Sequence, residues 1–462
     1  MSTPETYEST LAHVNTFSSP SELRITDIRF ADIAGAPMHC SLIKVYTNQG
    51  LVGFGEVRDG ADKQYALMLK SRLLGENPCQ IDKLFRRIKQ FGGHARQGGG
   101  VSGLEIALWD LSGKAYGIPI YQMLGGKFRD KIRMYCDTDV HGKDTGTHMG
   151  LALKERMDKG FTFLKMDLGI NQIIHEPGTL SAPLGFLEEM RSLSKAWYDA
   201  QRDGSLSEEE LRRARNRLYD IYNIAHPFTG IHVTEKGLDM LEQYVAEVRA
   251  VIGYEVPLAI DHFGHIGVED CIKLGKRIDK FNLAWMEDMI PWQYTEQYVR
   301  LARSVTTPIC TGEDIYLKEN FRPLLASGGV SVIHPDVLTT GGILETKKIG
   351  DMAQEYGVSM AIHMAESPIA CLAAVHAAAA TENFLALEFH SVDVDWWDDL
   401  IVSKLPKPLV DNGFIAVPDA PGLGIEELND ETIAQHLHPK IPGLWEATDS
   451  WNDHWGHDRL WS

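Results

Sequence analysis

The stretch "LAWMEDMIPW", residues 283–292, starts as a buried strand and then runs into two carboxylates, Glu287 and Asp288. An ionised carboxylate taken out of water without a partner costs several kcal/mol or more. The same pattern occurs in "VPLAID" (256–261) and in "TPICTGED" (307–314), which places Asp261, Glu287 and Glu313 at successive intervals of 26 residues. A parallel strand–helix unit takes about 30 residues. The three acids therefore read as the same position in three consecutive units, at the carboxyl ends of adjacent parallel strands. Three carboxylates with no cysteine or neighbouring histidine suit a hard divalent ion such as Mg²⁺, which completes its octahedron with water and substrate. The bland alternative is three strand ends that are solvated or that cap the helices after them.

Working outward, the strand–helix alternation extends over much of the chain. Candidate strands are 132–137 "IRMYCD", 161–167 "FTFLKMD", 256–261, 283–287, 308–313, 331–336 "SVIHPD", 358–363 "VSMAIH" and 384–389 "FLALEF". Eight such strands with helices between most of them predict a (β/α) barrel whose site lies at the carboxyl ends of the strands. Between the second and third strands an insertion at about 170–235 includes the charged helical segment "LSEEELRRARNRLYDIYNIAHPF". It is too polar for a core unit, and is expected as a helical excursion at the carboxyl-end rim or as a subunit contact. Ahead of the barrel, "LRITDIRF" and "HCSLIKVYTNQGLVGFGEV" read as strands, followed by helical sequence broken by the glycine-rich "FGGHARQGGG" (91–100). The expected organisation is an α+β domain over 22–130, a barrel over 131–400, and a segment 401–462 returning to the first domain.

The other strand ends carry chemistry too. Lys165 and Asp167 share one face of the second strand through the two-residue period. Asp336 and His363 end the sixth and seventh strands. A carboxylate beside an imidazole fixes its tautomer and raises its basicity, as a general base requires. Glu388 lies on the eighth strand.

Composition narrows the field. The 462 residues are 44% hydrophobic and 24% charged, with a formal charge of −19, and no basic run offsets it. Binding to a nucleic-acid backbone is not expected of such a chain. Six scattered cysteines without a Cys-x-x-Cys pair read as buried cytoplasmic thiols. The first residues lack a secretory pattern and no stretch approaches 18 consecutive apolar residues, so a cytoplasmic protein with no membrane contact is expected.

The spacing of "LKMD", "AID", "WMED", "TGED", "HPD", "AIH" and "ALEF" resembles the mandelate racemase subgroup of the enolase superfamily. "TNQGLVGFGE" and "SGLEIALWDLSGKAYGIPIYQMLGGKFRD" are similar to the phrases of that family's capping domain. The resemblance implies a modified barrel of (β/α)7β type, capped by the N-terminal α+β domain and completed by the C-terminal segment. It implies Mg²⁺ held by Asp261, Glu287 and Glu313, and removal of the proton α to a carboxylate. His363, oriented by Asp336, carries over as the base. Lys165 matches the first lysine of the family's Lys-x-Lys motif. Asp167 stands where the second, opposite-face base would be, and this departs from a two-base racemase. The expected reaction is dehydration of a sugar acid to a 2-keto-3-deoxy acid. An epimerase, racemase or cycloisomerase of a related acid is the alternative, and a non-catalytic protein of the same fold a remote one. Lys165, His265 and Arg58 are the candidate substrate contacts; His262 or His265 of "DHFGH" is a candidate helper, although related dehydratases place a histidine where Phe263 stands. Self-association into a homo-oligomer is expected from the family.

Overall fold

The computed structural model describes residues 18–139, 142–183, 185–224, 230–261 and 266–455. Three N-terminal strands, β1 (Ile25–Ile33), β2 (Cys40–Thr47) and β3 (Val52–Val57), form an antiparallel meander. Helix α1 (Gly99–Tyr116) lies against β3 and is buried on nearly all of its surface. Their contact is closer than side chains allow: a Cβ on Gly55 would stand 2.1 Å from the carbonyl of Gly103, and one on Gly103 would stand 2.1 Å from that of Glu56. The helix stops at Gly117, whose φ of 73° gives the left-handed turn that ends many helices.

The parallel strands follow as β4 (Lys131–Thr138), β5 (Leu164–Asp167), β6 (Leu258–Asp261), β7 (Met286–Glu287), β8 (Ile309–Thr311), β9 (Val332–Ile333), β10 (Ser359–Ile362) and β11 (Phe384–Phe389). They neighbour one another in this order and β11 pairs back onto β4, closing an eight-stranded barrel. Helices α2 (Gly146–Asp158), α5 (Glu235–Ile252), α6 (Val268–Ile278), α7 (Thr295–Ala302), α8 (Lys318–Ser327), α9 (Ile343–Glu355) and α10 (Pro368–Ala379) follow the first seven strands in turn, α5 after an insertion. No such helix follows β11 among the described residues, giving the (β/α)7β form that the family resemblance implies.

Several strands are shorter than their sequence patterns. The fourth begins at Met286 rather than 283, and the sixth covers Val332–Ile333 rather than 331–336. Pro335 has no N–H for the ladder, and beyond it the carbonyl of Asp336 turns to accept the N–H groups of Thr339 and Thr340. The fifth strand stops at Thr311 before Gly312, whose φ of 146° breaks the extended run.

By compactness the chain divides into one unit of Met1–Cys136, Gly312–Pro323 and Ile333–Ser462, and a second of Asp137–Thr311 and Leu324–Val332. In the first, the C-terminal segment returns to the meander: Ala31 bridges Leu444, Ile33 bridges Leu437, and Lys44 Nζ lies 3.0 Å from Asp430. In the second, the insertion leaves β5 and forms a two-stranded ladder, Leu180–Ser181 with His232–Val233, plus helices α3 (Phe186–Asp203) and α4 (Glu208–Ile224). Ser207 and Glu210 cap α4 reciprocally, which the "SEEE" run makes possible.

All six cysteines are free, and five of them are buried. Among the described residues no helix is long and apolar enough to cross a membrane.

Candidate active site

Each unit carries part of the predicted set. In the second unit the parallel register puts Asp167 opposite Asp261 and Asp261 opposite Glu287, so three acids end three neighbouring strands side by side. Lys165, two residues before Asp167, projects on the same face. Its ammonium hydrogen-bonds Glu287 Oε1 and lies 3.1 Å from Asp261 Oδ2. Trp285, two residues before Glu287, donates its indole N–H to Glu287 Oε2 at 2.6 Å. Lys165, Asp261 and Glu287 are 2%, 5% and 0% exposed. Burial pushes the Asp261 carboxyl well above the usual range; Lys165 opposes the shift, while Glu287, Asp288 and Asp167 add to it. Asp288, immediately after Glu287, has a φ of 45°, a strained conformation of the kind that concentrates at functional sites.

Among the described residues two buried carboxylates here share one ammonium, and their oxygen donors suit a hard cation. Glu313, the third acid of the expected set, follows β8 by two residues.

In the first unit, His363 Nδ1 lies 2.6 Å from Asp336 Oδ2, while Asp336 Oδ1 accepts the N–H groups of Leu338 and Thr339 at 2.6 and 3.1 Å. An imidazole that donates through Nδ1 presents the Nε2 lone pair for proton transfer. Nε2 stands 3.3 Å from Glu313 Oε2 and 4.0 Å from Glu388 Oε2. Burial works against protonation of His363, but Glu313, Glu388 and Asp336 outweigh it and raise the imidazole pKa. Glu388 is fully buried. Tyr135, its register partner on β4, donates its hydroxyl to Oε2 at 2.8 Å, and His390 Nε2 lies 3.2 Å from Oε1.

Arg58, a candidate substrate contact, directly follows β3. It is 0% exposed, and its guanidinium faces Asp59, Glu313, Asp336, Thr339 and Glu366. His262 and His265 lie outside the described residues. Sequence reading missed Trp285, Tyr135 and His390. Trp285 and His390 each stand two residues from a named acid, on the same strand face, and that period was the available signal.

The description "Enolase C-terminal domain-like" matches residues 207–431, and "Mandelate racemase / muconate lactonizing enzyme, N-terminal domain" matches residues 14–125. The chain is 31% identical over 426 residues to a D-xylonate dehydratase of Haloferax volcanii, covering 90% of this chain and 89% of that one. It is 27% identical over 410 residues to a D-galactonate dehydratase of Verminephrobacter eiseniae, covering 86% and 91%. Among solved structures, a mandelate racemase/muconate lactonizing enzyme-like protein from Rubrobacter xylanophilus superposes with a TM-score of 0.74 at 27% identity, over 91% of this chain and 99% of that one.

Proposed function

This chain belongs to the mandelate racemase subgroup of the enolase superfamily, and from that premise we propose that it dehydrates an aldonic acid to the 2-keto-3-deoxy acid with Mg²⁺ at its site. It is an enzyme of the hydro-lyase class. The observation that carries the reading is the Asp336–His363 pair at 2.6 Å, together with an aspartate, Asp167, at the position of an opposite-face lysine. A carboxylate at about pKa 4 is a far weaker base than a lysine at about 10.4. One base suffices for elimination, whereas racemisation needs an acceptor and a donor on opposite faces.

Asp261, Glu287 and Glu313 would hold the ion, which when bound supplies positive charge where the substrate carboxylate gains electron density. His363 Nε2 takes the α-proton, and the freed electron pair moves toward the carboxylate. As that pair returns to form the double bond to the β-carbon, the C–O bond breaks, and the proton on Nε2 goes to the departing hydroxyl as water. The enol left behind gains a proton at the β-carbon as it becomes the keto acid. Asp336 keeps the imidazole in the tautomer that presents Nε2. Lys165 balances the charge on the substrate carboxylate. Glu388, held by Tyr135, donates or accepts a hydrogen bond at the reacting end of the substrate.

The test is a panel of aldonic and aldaric acids assayed for 2-keto acid, with α-proton exchange followed in deuterated water. His363→Asn should lower both exchange and product formation by about 10²–10⁴-fold. Lys165→Met should also lose turnover, through loss of charge. If no acid yields a keto acid, dehydration is wrong. If His363→Asn still exchanges while Lys165→Met does not, the base lies on β5 instead.

A further inference from the structure

Arg58 follows β3, and its five N–H donors fan out over segments far apart in sequence. Nε donates to Asp59 Oδ1 at 2.8 Å and lies 3.4 Å from Glu366 Oε1. Nη1 donates to the carbonyl of Glu313 at 3.2 Å and to the hydroxyl of Thr339, and stands 3.3 Å from Asp336 Oδ2. Nη2 donates to Glu313 Oε1 at 3.5 Å. Glu313, Asp336 and Glu366 follow β8, β9 and β10, so one planar group ties together three consecutive strand ends. Asp336 Oδ2 is the oxygen that receives His363 Nδ1.

The glycine run beside it is shaped for this seat. A Cβ on Gly99 would stand 2.6 Å from the backbone nitrogen of Arg58, and one on Gly98 would stand 2.3 Å from the Thr339 carbonyl. Arg96, from the same run, holds the other side of Asp59, with Nη2 3.0 Å from Oδ2. Lysine carries the same charge but concentrates its donors at one atom, and cannot bridge acceptors spread around a guanidinium plane.

We propose that Arg58 is a positioning residue: a guanidinium brought by the β3 end and the glycine run sets the Asp336–His363 pair and Glu313 in mutual register. The kinetic arm of the test rests on the dehydratase reading; the binding and spectroscopic arms do not. In the full-length protein, Arg58→Lys should lower kcat by about 10–10²-fold, the usual range for groups that orient ligands and bases, with KM changed less than about threefold. Its dissociation constant for Mn²⁺, measured by titration, should rise about tenfold. The downfield proton resonance of His363 Nδ1–H, assigned by its loss in His363→Asn, should shift or broaden. Thr339→Val, which removes one acceptor and keeps the charge, should move all three readouts in the same direction by a smaller factor, and it serves should Arg58→Lys fail to fold. An unchanged resonance and Mn²⁺ affinity in the folded variants would overturn the proposal whether or not any sugar acid is turned over. A loss confined to KM would overturn it as well, by making Arg58 a substrate contact.

Discussion

Each unit buries a cation among its carboxylates, Lys165 in one and Arg58 in the other, and the two neutralise charge differently. Lys165 is a point charge on a flexible stem, shared between Asp261 and Glu287 on the two strands that follow its own in the sheet. Arg58 is a rigid fork spread over acceptors from four separate stretches of chain. A lysine in that setting can turn from its carboxylates toward an anionic substrate, because any of its three N–H groups serves any acceptor. An arginine bonded to several separate acceptors cannot move without breaking several contacts together. The difference separates a cation available for chemistry from one committed to geometry.

The sharpest way to break this comparison is at Glu287. Glu287→Gln removes a carboxylate from the over-acidic cluster, so turnover should fall below detection while the metal-free protein unfolds at the same temperature or a higher one. Assay and thermal melt together decide it: retained activity would remove Glu287 from the ion-binding set, and a large drop in melting temperature would make the cluster structural. A smaller effect is expected at the indole behind it. Trp285→Phe keeps the packing against Phe163 but loses the 2.6 Å bond to Glu287, and should weaken Mn²⁺ binding by about 10–100-fold. Calorimetric titration checks this, and unaltered affinity would mean that Lys165 alone orients Glu287.

The least drastic probe belongs to the arginine side. Glu56, at the base of β3, is fully buried and accepts hydrogen bonds from Ser367 and Ala370 at the start of α10. Burial pushes its carboxyl up to about 7 against those hydrogen bonds. The unfolded chain ionises this group near pH 4.3, so the folded state holds the proton longer. Stability from this residue is therefore complete below about pH 4, falls as pH rises toward 7, and levels off above it, a change of roughly 3–4 kcal/mol. Glu56→Gln should flatten that slope in melts run from pH 4.5 to 8. A wild-type profile no steeper than the variant's would show that Glu56 is ionised in the folded protein throughout.

Much of the fold was legible because barrel strands are local objects. Each of the eight announces itself in a handful of apolar residues, and the 26-residue interval from Asp261 to Glu287 to Glu313 sets the phase. Lys165 was legible for the same reason, since it sits two residues from a strand end. The burial of Arg58 was not, because charged side chains are seldom fully buried unless paired, and its partners Glu313, Asp336 and Glu366 lie more than 250 residues downstream. No periodicity connects position 58 to them. Tyr135 and Glu388 were separated for a similar reason: barrel closure makes them register partners, although they sit on the first and last strands. What the chain writes locally can be read, and what only ring closure or domain docking brings together cannot.

The return of the C-terminal segment to the meander has a consequence for how the protein is made. Strand β1 meets Leu437 and Leu444 along its outer edge, and the carbonyl of Phe30 accepts the N–H of Trp445. These partners leave the ribosome some 400 residues after β1 does. Throughout that interval β1 has an open edge, the feature through which nascent sheets pair with one another. At roughly 5–20 residues per second, the interval lasts on the order of 20–80 s. Strand β1 is thus finished long after it emerges, and its exposure time is set by translation rate rather than by any folding barrier of its own.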